Sequence, residues 1–358
     1  MLVISPKWIY SNNTKLEKDK SILLDGPIIL DIFDNELIEK KYKDISRIIY
    51  PNHILMPTFT ESYLDLNDCL SEKEIEIKIK SLVNNGVTRL CVYKKNYKDI
   101  LNICTDLADI SHIIELDGKT INQLDIKKMT DIFDFYKSDP SKQFFLSINN
   151  IIDFDKDIII KLSSIINEID IKVHIKGNCL KNISNKKIIN ETMNFWSEIN
   201  LIDNSCLHGV LHLSDYWLAS AKKRNITAII SYSELISIDN IVSFSSLLKR
   251  DYKCILITDT SNSYNLYEII KLIESIDVEE KNNFDKNNIL NCITKNTSNL
   301  FQNFISTDVI KKGNKASFNI FDYTSNQLLI NKTSSPQLRN LDKQSLTHVW
   351  SAGEQYKI

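Results

Sequence analysis

Residues 54–68, ILMPTFTESYLDLND, decide how the chain is read. An apolar run, Ile54-Leu55-Met56, meets Pro57 and Phe59 and then a polar tail in which Tyr63 and Asp65 stand two apart. Side chains two apart on a strand project to the same side, so a strand ending here presents Tyr63 and Asp65 together. Barrel active sites are assembled from such polar strand ends.

Working outward, Ser71-Glu72-Lys73-Glu74 is a capping box, with Ser71 as N-cap and Glu74 three residues on. It opens a helix that carries Ile75, Ile79, Leu82 and Val83 on one stripe and stops at Asn85-Gly86. From there apolar strands alternate with helical patterns. The strands are Arg89–Tyr93, His112–Leu116, Phe144–Ile148, Ile171–His174, Cys206–His212, Thr227–Ser231 and Lys253–Thr258. Helical periodicity falls at 100–107, 126–136, 155–168, 186–199, 216–224, 238–248, 265–276 and 287–304. With Ile54-Leu55-Met56 as the first, the strands number eight, and the span 54–304 is close to the ~250 residues of a (β/α)8 TIM-type barrel. An open, doubly wound sheet is the competing arrangement, and it is weakened because no Gly-rich phosphate loop follows any strand.

The two ends read as β structure. Trp8–Tyr10, Ser21–Leu24 and Ile28–Ile32 are short strands, and the tail has a turn at Lys312-Gly313-Asn314 and β-like runs up to Phe321 and over Thr347–Ala352. Residues 1–53 and 305–358 are therefore expected to join as one small β-sandwich beside the barrel.

Bulk composition narrows the function classes. Lys+Arg number 44 against 46 Asp+Glu, which leaves no footprint for nucleic acid or an anionic membrane. No apolar run reaches the ~20 residues of a membrane helix. The seven cysteines are scattered and never form a CxxC pair, which fits reduced thiols and a soluble cytoplasmic protein. Only seven glycines occur, where average usage gives roughly 25. That scarcity suggests loops released from strict backbone demands.

Three side chains fall at expected strand ends: His174, His212 and Asp259. Two imidazoles and a carboxylate are plausible zinc or iron ligands. Each also has a structural reading: His212 as a hydrogen-bonded core histidine, His174 likewise, and Asp259 as a helix cap within Thr258–Ser261. His208, His53, His112 and His348 read as packing residues. Ser214, His212 and Asp215 lack the elbow of a hydrolase triad.

The opening stretch resembles the start of the barrel in the amidohydrolase superfamily, where an apolar strand leads into Pro-Gly-Phe and a metal-binding His-x-His. Thr58 stands at the glycine position, and Tyr63 and Asp65 at the two histidines. LHGVLHLSD with Ala221-Lys222 is similar to the His-x-Ser segment of the dihydroorotase branch, VHIKGN to its His-Ala-Glu segment, and TDTSNS to its Asp-His-Ala-Pro-His segment. Ser334-Ser335-Pro336-Gln337 looks like the family's Asn-Ser-Pro-Phe stretch, so the likeness spans nearly the whole chain in the family's order.

The resemblance implies that His174 and His212 ligate one metal, and that Asp259 ligates the other and shuttles the proton. It also marks departures. Asn67 replaces the arginine that grips the substrate carboxylate, and Thr260 replaces the histidine after the aspartate. No frame selects a bridging lysine among Lys119, Lys127, Lys137 and Lys142. Two metals need about six ligands, so the resemblance implies one zinc ion or none rather than a two-metal centre.

Two readings follow. The first is a dihydroorotase-like homologue with a decayed metal centre, kept for folding or assembly as a homo-oligomer or with aspartate carbamoyltransferase, as some family relatives are. The second is an active cyclic amidase holding one metal through His174, His212 and Asp259, with Asp65 as a further ligand.

Overall fold

The computed structural model describes residues 1–11, 15–94, 107–117, 143–149, 155–169, 173–175, 186–203, 205–235, 238–258, 266–280, 286–300, 309–324 and 343–357. Five strands come first: β1 (Leu2–Ser11), β2 (Lys15–Lys18), β3 (Lys20–Asp25), β4 (Ile28–Asp34) and β5 (Arg47–Pro57). The next eight are β6 (Phe59–Asp65), β7 (Val87–Tyr93), β8 (Asp109–Asp117), β9 (Gln143–Asn149), β10 (Val173–Ile175), β11 (Cys206–His208), β12 (Thr227–Ser231) and β13 (Cys254–Ile257). Three more close the chain: β14 (Phe318–Asp322), β15 (Leu346–Ser351) and β16 (Glu354–Lys357).

Strands β6 to β13 pair in sequence order, all parallel, and form the expected (β/α)8 barrel. Strict alternation divides their side chains. Leu64, Leu90, Val92, Leu146, Ile148, Leu207 and Ile230 pack outward with helix residues such as Ile79, Leu162, Trp196 and Phe244. Tyr63, Cys91, Tyr93, Ile113, Cys206, Ile229, Ile255 and Ile257 face the axis and fill it. At the seam between the first and last barrel strands, the buried Glu61 carboxylate accepts the Thr258 hydroxyl at 2.7 Å and the Thr258 N–H at 3.3 Å. The Tyr63 N–H reaches the same carboxylate at 3.2 Å.

The two termini build a mixed eight-stranded sheet in the order β16-β15-β14-β5-β1-β3-β4, with β2 on β1. Isolated bridges Ser11↔Ile310 and Ile28↔Lys315 tie its strands to the segment before β14. One strand moves relative to the sequence reading. Ile54-Leu55-Met56 belongs to this sheet, pairing with β1 and β14, and the first barrel strand starts at Phe59. An 11-residue strand that is buried along Ile54–Pro57 reads identically whichever sheet receives it.

The capping box at Ser71 is formed: Ser71 Oγ accepts the Glu74 N–H at 3.3 Å, and Glu74 accepts the Ser71 N–H at 3.2 Å. The helix Glu72–Val83 buries Ile75, Ile79 and Val83, as its stripe requires. Gly86 beyond it has φ +83°, and a Cβ there would lie 2.6 Å from the Asn319 amide, which donates to the Gly86 carbonyl and docks the terminal sheet on the barrel. The helices expected at 100–107 and 126–136 lie outside the described residues, apart from Leu107, which is in a turn.

The scarcity of glycine turns out to have a replacement. Asn200, Asn225 and Asp251 take φ between 56° and 58° at the ends of three successive barrel helices. At each, the following N–H bonds the carbonyl five residues back: Leu201 to Trp196, Ile226 to Ala221, Tyr252 to Leu247. These are Schellman ends in which Asn or Asp, the side chains that tolerate the left-handed region best, stand where glycine is usual. The loops meet their backbone demands by a different residue. No described helix is long and apolar enough to cross a membrane.

Candidate active site at the barrel mouth

The parallel strands bring their C-terminal ends to one rim, where βα barrels carry their chemistry. On β6, Tyr63 is buried and its ring stacks on Tyr93 of β7, with centroids 5.8 Å apart and planes at 24°. Asp65, in register with Tyr93, spends one carboxylate oxygen on the Asn67 N–H at 2.8 Å, closing its own turn. Lys78 holds the Asp65 carbonyl at 2.8 Å. The exposed Asn67 sits at the rim, where its side chain hydrogen-bonds the Tyr93 hydroxyl.

Tyr93 donates to Glu115 of β8 at 3.1 Å. Burial raises the Tyr93 phenol far above its usual range, and the Glu115 charge and hydrogen bond push the same way. It is therefore a fixed donor, not a phenolate ligand.

Across the axis, His174 of β10 is buried, meets Tyr63 edge-on at 5.9 Å, and brings its Nε2 onto the Nε2 of His208, the last residue of β11. The two imidazole centroids are 4.4 Å apart. The sequence reading placed the partner of His174 at His212. Strand β11 ends sooner than expected, because Gly209 takes φ +74° and turns the chain into a short 3-10 segment, Val210–His212. His208 shares the inward parity of Cys206, and His212 lies beyond the strand, with its side chain outside the description. The alternation Cys206-Leu207-His208 closed by Gly209 was the signal available in the sequence. Asp259, Thr260 and the four candidate bridging lysines lie outside the described residues.

Lower in the barrel, burial drives the Cys91 thiol well up; Arg89 opposes this and Glu61 and Cys206 add to it. Cys91 is held as a neutral thiol, so neither a nucleophile nor a thiolate ligand is on offer there.

These donors test what metal they suit. His174 and His208 are of the residue type that ligates zinc, but their Nε2 atoms meet each other instead of bracketing the gap a shared ion needs. The first-strand positions do not fit a second: one is a buried phenol stacked on Tyr93 and the other a carboxylate engaged in its own turn. Among the described residues, no three His, Cys, Asp or Glu side chains are grouped to hold a metal ion.

No protein-family model matches the chain, and no curated protein matches its sequence. Among solved structures it is similar to an adenosine deaminase from Xanthomonas campestris with bound zinc, at TM-score 0.75 and 9% identity over 99% of this chain and 92% of that one. A guanine deaminase from C. acetobutylicum with bound guanine matches at TM-score 0.75 and 14% identity, over 99% of each chain. A triazine hydrolase variant matches at TM-score 0.72 and 12% identity, over 99% of this chain and 94% of that one. At such identities the likeness is one of fold, and it extends over 99% of this chain.

Proposed function

We propose that this chain is an amidohydrolase homologue of dihydroorotase-like descent whose two-metal centre has been dismantled, and that it serves by binding or assembly rather than by two-metal hydrolysis. The observation that carries the reading is the Tyr63–Tyr93 stack, which puts a buried, stacked ring at one of the two rim positions that the resemblance assigns to metal-binding imidazoles. Asp65 adds to it, since a carboxylate already accepting the Asn67 N–H stands where the resemblance has the second metal-binding histidine. The order of the sequence segments supports dihydroorotase-like descent, and the deaminases and hydrolase of the same fold support the broader hydrolase ancestry. The proposed role extends to self-association or association with aspartate carbamoyltransferase.

The test is to purify the protein without chelator, measure bound zinc, and assay ring opening of dihydroorotate and ammonia release from adenosine and guanine. The expected result is zinc well below one equivalent and rates at the buffer level. Two equivalents of zinc with turnover would overturn the proposal.

A second reading is favoured by the contact between His174 and His208. It keeps one ion, with Asp259 as a further ligand, and an ion there would supply Lewis-acid polarisation of a carbonyl and a bound water of lowered pKa. In that case His174→Ala removes both zinc and hydrolysis, and the same measurement on His208→Ala and His212→Ala identifies which of the two is its fellow ligand.

A further inference from the structure

The barrel wall is not tied equally all the way round. Strands β6 and β13 stand at the two ends of its strand order, and among the described residues no ladder joins them. By contrast, β8 and β9 run in continuous register from Ser111–Gln143 to Asp117–Asn149.

Side chains stand in for the ladder at this seam. Near the rim, β6 advances three residues from Glu61 to Leu64 while β7 advances two from Leu90 to Val92, which is a bulge. The Tyr63 N–H within the bulge and the Thr258 N–H just beyond β13 both go to the buried Glu61 carboxylate, at 3.2 and 3.3 Å. Deeper down, the 3-10 segment Lys295–Leu300 lies across the seam as a strap. Its Thr297 hydroxyl meets the Thr60 hydroxyl of β6 at 2.9 Å, and its Asn296 amide donates to the Cys254 carbonyl of β13 at 2.9 Å.

Local opening follows the line that breaks the fewest main-chain hydrogen bonds, and in this wall that line is the seam. The axis behind it is filled by side chains that include Tyr63, Cys91, Ile255 and Ile257, so solvent reaches it only when a wall strand moves. Only Thr58 separates β6 from β5 of the terminal sheet, so a shift of that sheet is passed straight to β6. We infer that the seam between β6 and β13 is a conformational gate, which parts as a local unit without global unfolding and opens the filled axis to solvent. Such parting depends on the scaffold alone, and not on whether the mouth holds a metal.

The test is native-state hydrogen exchange of the full-length protein in urea concentrations below the unfolding transition, read at single amides by mass spectrometry with fragmentation. The Tyr63 and Thr258 amides are expected to exchange at least about 10-fold faster than the slowest amides of the β8–β9 ladder. Their rates are expected to change little with urea, because a local opening exposes little surface, whereas the ladder's rates rise steeply. Thr60→Cys with Thr297→Cys replaces two hydroxyls already in contact, and its disulfide, confirmed by the mass of the linked peptide, pins β6 to the strap. The oxidised variant is expected to slow both seam amides at least about 10-fold and to give them the ladder's urea dependence, and reduction is expected to restore the parent's rates. Seam amides that match the ladder in rate and urea dependence would overturn the inference, as would a confirmed disulfide that leaves their exchange unchanged. The urea comparison needs the parent chain alone, so it decides the matter even where the double variant fails to fold or to oxidise.

Discussion

On the side of the mouth built by β6 and β7, two tyrosines stack, a carboxylate closes its own turn, and Glu61 ties the seam to Thr258. On the opposite side, β10 and β11 bring two imidazoles together by their Nε2 atoms. The backbone is the same on both sides, parallel strands ending at one rim. What differs is the side chains at a few inward positions. A barrel's strand pairing and outer packing are set by alternate apolar residues facing the helices, so inward residues near the rim can change their chemistry without disturbing the scaffold.

The comparison is broken most directly by making the first side resemble the second. Tyr63→His combined with Asp65→His restores a His-x-His at the end of β6. A four-ligand zinc site is worth roughly 10–16 kcal/mol, or about 3 kcal/mol per ligand, so two new imidazoles are expected to tighten zinc binding at least ~100-fold even with imperfect geometry. Competition with a chromogenic zinc chelator measures it. An affinity equal to the parent's would mean that the backbone at β6, and not only its side chains, has left the metal-binding geometry.

The seam offers the next largest effect. Glu61 is fully buried and accepts from Thr258 Oγ1, Thr258 N and Tyr63 N. Glu61→Ala strands three buried donors and leaves a cavity, a loss of about 3 kcal/mol. Urea unfolding monitored by tryptophan fluorescence reads it as a lower midpoint at unchanged slope. A shift within about 0.5 kcal/mol would show that the barrel closes without this carboxylate.

How much of this was legible in the sequence follows the same division. The strand-helix alternation and the capping box at Ser71 were readable because periodicity and local caps are written in consecutive residues. The assignment of Ile54-Leu55-Met56 to the barrel was not sound, because an apolar run does not say which sheet it joins. His212 was chosen by matching a family segment and lies in the turn that follows Gly209, whereas the contact of His174 with His208 follows from the strand parity of Cys206-Leu207-His208. Glu115 and Ser147 carried no signal at all: they are 32 residues apart in sequence and meet only through the β8–β9 register. Rim chemistry arises between strands, and a single sequence does not display strand register.

The smallest effect sharpens the comparison by isolating one hydrogen bond on the tyrosine side. Tyr93 is buried and bonded to Glu115, and both features raise its pKa in the folded chain above the value near 10 that it has when unfolded. Below about pH 10 both states keep the proton and the contribution is whole. As pH rises past the unfolded value, only the unfolded chain releases the proton, so stability falls by up to about 1.4 kcal/mol per pH unit from this group. Other buried tyrosines, among them Tyr50, also titrate high, so the parent's alkaline slope is shared. The informative quantity is the difference between the parent and Tyr93→Phe, from urea unfolding at pH 8 and in steps above pH 10. The variant is expected to be less stable than the parent at pH 8 by about 1 kcal/mol, the net worth of one hydrogen bond, and to lose less stability at alkaline pH. Parallel curves would mean that Tyr93 ionises as easily folded as unfolded. The rim on that side would then be wetter than a closed stack of rings allows, and the contrast with the imidazole pair would narrow to residue identity alone.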